Sequence, residues 1–172
     1  DPVISKADLI IVAVKPQDAL STLQEMQPFV RKKQLVLSIM AGIKGKSIAK
    51  HLGGHKRIVR AMPNLPTHVR KGITIFKPLT KLSKTEEGSL HKVLGALGLF
   101  YEVKREELID SATAYTATGP GYLFYFFEHM IAAGQKLGFS NKEAEEFLKG
   151  TIGGTLELWR DMGLSPQGLR EK

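Results

Sequence analysis

Three near-continuous apolar runs, at residues 9–14, 35–40 and 58–62, dominate the first half of the chain. They begin about 25 residues apart, which is the spacing of successive strand–helix–strand units. Each run lacks the alternation of polar and apolar residues, as is typical of a parallel strand that is covered on both faces. Shorter runs at 73–76 and 99–103 predict two further strands, so the pattern indicates an open α/β sheet.

The segments between the long runs predict short crossover helices. After the first run, Leu20, Leu23 and Phe29 recur at a spacing that would place them on a buried helical face, and Pro28 bends or ends that helix. After the second run, residues 45–54 predict a helix that stops at a glycine pair. Each strand is therefore expected to lead into the next through a helix.

Two capping boxes predict longer helices later in the chain. Ser83 is followed three residues later by Glu86, and Ser140 by Glu143, so each pair can satisfy the free backbone N–H groups at a helix start. Apolar residues at helical spacing follow both pairs. We therefore expect helices that begin directly after Ser83 and Ser140.

Strand signals vanish beyond Lys104, which predicts an α/β domain over residues 1–104 and an all-α helical domain over residues 105–172. In the second domain, residues 123–131 are apolar on nearly every helical face, and such a helix must be buried on nearly every side. A small sheet and two helices cannot supply that much cover. We therefore expect a second subunit to bury this helix.

Composition excludes several kinds of chemistry. The 172 residues contain no cysteine, which rules out disulfides, thiolate zinc sites and a cysteine nucleophile. His51 and His55 are four residues apart, but Gly53 and Gly54 between them would disrupt the helix that could pair them, so no metal site is expected. No apolar run approaches the length that spans a bilayer, so no membrane partner is expected.

The chain is basic, with a formal net charge of +8 and a pI near 9.7. A basic surface can attract nucleic acid, but the lysines are scattered and no nucleic-acid-binding motif accompanies them. We therefore predict no nucleic-acid partner and favour a solvated surface or an anionic small ligand.

The residues that follow the three long runs indicate a binding edge. Lys15, the Ala41–Gly42 turn and Asn64 each come directly after a predicted strand. In an open α/β sheet, ligands bind outside the carboxyl ends of the strands. Any one of these residues could simply end its strand, but three in succession at one edge favour a binding site.

Five segments together carry a family resemblance: "DLIIVAVKPQ", "SIMAGI", "RAMPNLP", "GLFYEVKREELIDSATAYTATGPGYLFYFFE" and "AGQKLGF". Over essentially the whole chain they resemble pyrroline-5-carboxylate reductase. The resemblance implies a Rossmann-like, doubly wound parallel sheet, incomplete in this chain, followed by an all-α helical dimerisation domain. It also implies a homodimer through that domain, and it leaves open a larger ring.

The resemblance implies a nicotinamide site at the predicted edge. Val14 and Lys15 would contact the ribose and nicotinamide side of NADPH or NADH, Met40 and Ala41 would meet the nicotinamide, and Asn64 would lie nearby. Small residues let a ring approach the backbone, while lysine and asparagine supply hydrogen-bond donors.

The segment "TATGPGY" matches a family run of the type Ser-Gly-Ser-Gly-Pro-Ala-Tyr, and it places Thr118 and Gly119 on the substrate side. Departures from the family pattern are Leu65 for threonine, Ala117 for glycine and Gly121 for alanine, together with threonine for serine at positions 116 and 118. Their effect on substrate fit is open.

Two family elements are not found in this sequence. The phosphate-binding turn and the residues that read the adenosine ribose precede the first strand present here, so the choice between NADPH and NADH is open. The catalytic threonine lies beyond Lys172, so no catalytic residue is assigned. The chain begins with Asp1 rather than Met, and we expect a segment of a longer protein that is inactive alone.

The implied reaction is NAD(P)H-dependent reduction of 1-pyrroline-5-carboxylate to L-proline, the last step of proline biosynthesis, in the cytoplasm. Two alternatives remain open at this point. One is a related imine or β-hydroxyacid reductase of the same two-domain build, and the other is a non-catalytic dimerisation module derived from the reductase.

Overall fold

The computed structural model describes residues 2–171, and its first part is built on one five-stranded sheet. The strands are Leu9–Val12 (β1), Leu35–Ser38 (β2), Ile58–Pro63 (β3), Gly72–Pro78 (β4) and Gly98–Glu102 (β5), and they lie in the sheet in chain order. All five apolar runs therefore form the strands predicted from them.

Eight α-helices accompany the sheet in the described residues: Pro2–Lys6 (α1), Ala19–Met26 (α2), Gly45–His51 (α3), Lys84–Gly95 (α4), Glu107–Ala112 (α5), Gly119–Lys136 (α6), Asn141–Met162 (α7) and Pro166–Arg170 (α8). Both predicted capping boxes are present. The hydroxyl of Ser83 accepts from the N–H of Glu86, and Ser140 does the same for Glu143. α4 and α7 begin directly after these serines, as predicted.

The sheet is mostly parallel, but one strand reverses. β1, β2 and β3 are parallel, whereas β4 is antiparallel to β3 and parallel to β5. A parallel connection needs a crossover of about a dozen residues or more, and the connection between Pro63 and Gly72 is too short for one. The predicted α/β class is confirmed, with this single reversal within it.

Helices cover both faces of the sheet, as the doubly wound prediction requires. On one face, Val36 and Ile58 pack with residues of α2 and α3 such as Leu23 and Ile48. On the other face, Leu35, Leu37 and Val59 pack against Leu90 and Leu94 of α4. Consecutive strand residues thus enter opposite cores, which explains why the runs are continuously apolar.

The buried face of α2 differs from the prediction. Leu23 is fully buried, but Leu20 is 43% exposed and Phe29 is 40% exposed, and Ala19 and Met26 supply the remaining buried contacts. The helix ends at Met26, and a 3₁₀ turn over Gln27–Phe29 follows because proline lacks the N–H that would continue the α-helix. That change of helix type carries Phe29 off the predicted face.

The contacts divide the chain between Pro120 and Gly121. The boundary near Lys104 stays a prediction. It marks the end of β-structure, whereas the short helix α5 still packs against β3 and β4. The compact first unit therefore includes the first helical residues beyond the sheet.

The second unit consists mainly of α6 and α7, which meet beside their connecting turn. A Cβ on Gly134 would lie 2.9 Å from the Cβ of Ala144, and the rings of Phe139 and Phe147 meet edge to face with centroids 5.3 Å apart. Elsewhere in this unit most large apolar side chains are exposed: Tyr122, Leu123, Phe124, Tyr125, Phe126, Met130, Leu137, Leu156, Leu158, Trp159, Met162 and Leu164.

Candidate nicotinamide edge and substrate-side turn

The carboxyl ends of β1, β2 and β3 lie at one edge of the sheet because these strands are parallel neighbours. Lys15, Ala41 and Asn64 follow those three strands. Neighbouring strands are about 4.8 Å apart, so the three segments leave the sheet side by side. The fold thus brings the predicted cofactor residues to a common edge.

Val14 and Lys15 have different surroundings. Val14 is partly buried and packs against the core below α2, whereas the side chain of Lys15 is exposed. The backbone at Lys15 is extended, and its carbonyl accepts from the N–H of Asp18 at 3.0 Å, which starts the 3₁₀ turn over Pro16–Asp18. Val14 therefore anchors the strand end, and Lys15 presents a cation at the edge.

The segment after β2 combines a buried anchor with an open turn. Met40 is 2% exposed and lies in the core, so contact with a ligand would have to come through its backbone. Ala41 is partly exposed, and Gly42 has a φ of +71°, a conformation that side chains disfavour. A Cβ built on Gly42 would meet no described atom within 4 Å beyond the glycine and its chain neighbours, so the turn is open on that side.

Asn64 holds the connection between β3 and β4. Its Oδ1 accepts from the backbone N–H of Ile73 at 2.8 Å, and its carbonyl accepts from the N–H and the hydroxyl of Thr67 at 3.1 and 2.9 Å. The side chain is only partly buried. One end of the amide is thus used to fix the turn, which leaves the Nδ2 donors as the part that can serve a ligand.

The predicted substrate-side residues follow a π-helical turn. Thr113–Ala117 forms this turn between α5 and α6, and the N–H of Thr118 donates to the carbonyl of Thr113 at 3.0 Å. The hydroxyl of Thr118 donates to the same carbonyl at 2.9 Å. π-Turns inside helices occur frequently at functional sites.

The π-turn packs against β3, the strand that Asn64 follows. Because the Thr118 proton is engaged within the turn, its oxygen remains as an acceptor for a ligand N–H or O–H. Gly119 begins α6, and Pro120 stands in the first turn, where its missing N–H costs little. The fold therefore brings the segment that carries Thr118 and Gly119 to β3, one of the three strands of the candidate edge.

The sequence analysis missed an ion-pair network that is centred on the buried side chain of Arg60. Arg60 in β3 is 1% exposed, and its guanidinium donates to Glu106 at 2.9 Å and to Asp110 at 3.0 Å. Lys44 also pairs with Asp110, and the N–H of Gly45 donates to Glu106 at 2.7 Å. Arg60 interrupts an apolar run, which was the only signal in the sequence that a buried partner was needed.

The carboxylate of Asp110 in α5 is held in its charged form. Burial alone would raise the pKa of Asp110, but hydrogen bonds from Lys44 and Arg60 outweigh burial and hold that pKa below its ordinary value. Asp110 therefore stays ionised around neutral pH.

A cavity of about 650 Å³ lies elsewhere, lined by the first residues of β1 and β2 together with Arg57 and Glu86. It contains none of the predicted site residues. Arg57 donates two hydrogen bonds to Glu86 and, helped by Ser83, lowers the pKa of that carboxyl to about 2. This ion pair belongs to the opposite edge of the sheet and to the stability of α4.

The histidine pair that the sequence analysis discounted has two separate bonding partners. His51 Nδ1 lies 2.8 Å from the carbonyl oxygen of Ser47, and His55 Nε2 lies 2.9 Å from that of Gln34. Among residues 2–171, no group of three or more histidine, aspartate or glutamate side chains is arranged to hold a metal ion. None of the helices in the same range combines the length and apolar character needed to cross a membrane.

Two family models match successive parts of the chain. The model for pyrroline-5-carboxylate reductase dimerisation matches residues 106–172, and the model for ketopantoate reductase PanE/ApbA matches residues 1–74. The ketopantoate reductase match ends within β4, and the dimerisation match begins shortly after β5, where the chain becomes helical.

Individual relatives cover nearly the whole chain. Pyrroline-5-carboxylate reductase from Aquifex aeolicus is 33% identical over 96% of this chain and 61% of its own length. The solved structure of a pyrroline-5-carboxylate reductase from Coxiella burnetii is 31% identical, with a TM-score of 0.84 over 96% of this chain and 62% of that one. The Plasmodium falciparum pyrroline carboxylate reductase, solved with NADP bound, is 29% identical, with a TM-score of 0.91 over 99% and 64%.

The chain spans about three fifths of the length of the curated relatives it matches. Within that span the similarity covers the strand-end edge, the π-turn and the helical unit alike. The chain is therefore similar to pyrroline-5-carboxylate reductases over nearly all of its length.

Proposed function

We propose that the protein containing this chain reduces 1-pyrroline-5-carboxylate to L-proline by hydride transfer from NADPH or NADH, the last step of proline biosynthesis. The observation that carries the proposal is the packing of the π-turn Thr113–Ala117 against β3. The turn leads to Thr118 and Gly119, which would lie on the substrate side of the site. The strand leads to Asn64, which would lie on the cofactor side. The relatives named as pyrroline-5-carboxylate reductases support the choice of substrate.

The residues of the strand-end edge fit a nicotinamide cofactor. The open turn at Ala41 and Gly42 admits a flat ring, exposed Lys15 offers a cation to an anionic dinucleotide, and the Nδ2 group of Asn64 offers donors. NADPH is the better candidate, since a relative was solved with NADP bound. The bound cofactor would supply the hydride, and this chain's residues would orient it.

The proposed reaction asks mainly for orientation. A protonated C=N bond is already electrophilic, so the imine carbon accepts the hydride and the nitrogen keeps its proton as the amine of proline. Alignment of the two partners can supply about 7–11 kcal/mol of the barrier. Thr118, through its free lone pairs, would accept from the substrate N–H and so orient the imine at this point.

We also propose a homodimer formed through the helical unit. The model that matches residues 106–172 describes dimerisation, and the exposed aromatic side chains of α6 would be buried there. A larger ring, like the cytoplasmic location, stays a prediction.

The test measures turnover of 1-pyrroline-5-carboxylate by the full-length protein. Turnover is monitored as oxidation of the reduced cofactor, once with NADPH and once with NADH. Ketopantoate serves as the competing substrate, because a ketopantoate reductase model matches residues 1–74. Proline formation with no ketopantoate reduction supports the proposal. Preferred reduction of ketopantoate, or no turnover of either compound, refutes it.

A further inference from the structure

Arg60 is an unusual residue for the middle of a core strand. Its neighbours in β3 are buried apolar residues, and its own side chain is 1% exposed. A buried guanidinium must be paired with carboxylates, and even then the pair adds little stability compared with apolar side chains of the same size. Stability alone is thus a weak reason for an arginine at this position.

The partners of Arg60 tie three elements together. Glu106 directly precedes α5 and Asp110 lies within it, about one helical turn further on, and the two Nη atoms of Arg60 reach one each. Lys44 and the N–H of Gly45 add bonds from the start of α3 to the same carboxylates. The fork of Arg60 therefore fixes both the height and the rotation of α5 over β3.

A close approach strengthens this arrangement. A Cβ built on Gly45 would lie 1.8 Å from Cδ1 of Leu79, so a larger residue at this position would force the Leu79 side chain to move. The N–H of Gly45 donates to Glu106. The network thus rests on backbone geometry as well as on charge.

α5 continues without interruption into the π-turn and then into α6. Thr118 follows Asp110 by about two helical turns, so a rotation of α5 would displace it directly. The candidate cofactor residues lie on loops that leave β1, β2 and β3, whereas Thr118 is carried by α5. The Arg60 network joins these two halves.

We propose that Arg60 is a positioning residue that sets the substrate-side turn against the cofactor edge. The proposal rests on the proposed function, and Arg60 itself touches neither reacting partner. A substitution that breaks the contact of Arg60 with its two carboxylates should slow hydride transfer. Cofactor binding depends on the residues after the strand ends and should be unchanged.

The test compares Arg60→Lys with Arg57→Lys in the full-length protein. Lysine keeps the charge but cannot bind two carboxylates as a fork. Arg57 is a matched control because it also pairs with a glutamate through two hydrogen bonds and lies just before β3 at the opposite edge. Arg60→Lys should lower kcat by about 10- to 100-fold, as small misplacements do, with the Kd for NADPH changed less than about threefold. Arg57→Lys should change neither quantity.

A reduced cofactor deuterated at the position of the transferred hydride supplies a second readout. In Arg60→Lys the isotope effect on kcat should rise, because hydride transfer becomes the slow step. Asp110→Asn, which removes one partly exposed carboxylate, should act in the same direction if Arg60→Lys fails to fold. The proposal is wrong if kcat is unchanged in both Arg60→Lys and Asp110→Asn. It is also wrong if both variants lose NADPH affinity to the same extent as they lose turnover.

Hydrogen exchange separates this inference from the proposed reaction. Amides of residues 106–118 should exchange faster in Arg60→Lys than in the parent protein, whereas those of β1 and β2 should not. If the parent protein has no reductase activity, the proposed function fails, and unchanged exchange would independently show that Arg60 does not hold the turn.

Discussion

The side chain of Asn64 is bonded to the backbone of Ile73, nine residues further along the chain, through an Oδ1···H–N contact of 2.8 Å. This bond closes the connection by which β4 turns back along β3. Asn64 therefore fixes the turn through Oδ1, and the Nδ2 group of the same amide can donate to a ligand.

Substitutions can separate the structural role of Asn64 from its proposed role in cofactor binding. Asn64→Asp keeps an acceptor for Ile73 but removes the Nδ2 donors, so the unfolding free energy should stay within about 1 kcal/mol while NADPH binding weakens. Asn64→Ala should lose both, including about 1–2 kcal/mol of stability. Chemical denaturation and cofactor titration measure the two effects. Unchanged NADPH affinity in Asn64→Asp would leave Asn64 with the turn alone.

Lys15 is predicted to contribute a charged hydrogen bond to the cofactor. Lys15→Ala in the full-length protein should weaken dinucleotide binding or hydride transfer by about 1–3 kcal/mol. Lys33→Ala is the control, because Lys33 is also exposed but precedes β2 at the opposite edge. Equal kcat/KM values for the two variants would show that Lys15 is an ordinary solvated cation.

The Glu86–Arg57 pair predicts an acid-sensitive contribution to stability. Arg57 lowers the pKa of Glu86 from 4.5 to about 2, so the carboxyl stabilises the fold above pH 4.5. That contribution is lost as the pH falls toward 2, because the folded state then has to bind the proton that the unfolded state already holds. The full shift corresponds to at most about 3 kcal/mol, and the partial exposure of Arg57 reduces it to about 1–2 kcal/mol.

Glu86→Gln should therefore destabilise the protein at pH 7 and match the parent near pH 2, since glutamine still serves the capping box. Glu87→Gln removes the same charge from an exposed position on the same turn and should have little effect. Urea unfolding across the pH range measures both. A pH-independent deficit in Glu86→Gln would indicate lost packing instead of a lost ion pair.

Thr74 offers a test of a buried polar group. Its Oγ1 is fully buried and, among the described residues, has no hydrogen-bond partner. Thr74→Val keeps the shape and should leave the unfolding free energy equal or raise it by about 1 kcal/mol. Thr67→Val, which deletes a 2.9 Å bond to the carbonyl of Asn64, should lower it by a similar amount. A matching loss in Thr74→Val would point to a water bound at that hydroxyl.

The exposed aromatic side chains of α6 predict an assembly. Phe124 is 59% exposed and meets Phe127 edge to face, within a surface large enough to require cover. Phe124→Glu should shift the full-length protein toward monomer in sedimentation at micromolar concentration. Gln135→Glu adds the same charge to an exposed polar position on this helix and should not. An unshifted Phe124→Glu would place the interface elsewhere.

Much of the sheet could be predicted because each strand run is apolar on both faces. The direction of β4 could not be read from its own residues, since it depends on the short connection after Pro63. The site was predicted where backbone turns show in the sequence, as at Ala41 and Asn64. The partners of Arg60 lie on α5, about 50 residues away, and a single sequence gives no signal that joins positions so distant.

Because β4 runs antiparallel to β3, the residues after β4 offer a labelling position at the opposite edge of the sheet from the candidate site. β4 ends beside the start of β3, where the N–H of Leu79 donates to the carbonyl of Ile58, so the exposed residues Thr80 and Lys81 stand at the far edge from Lys15 and Asn64. A short peptide tag inserted between Thr80 and Lys81, or a fluorophore attached there, would report on folding without contacting the candidate site. Inserts in the loops after β1, β2 or β3 would not have that freedom.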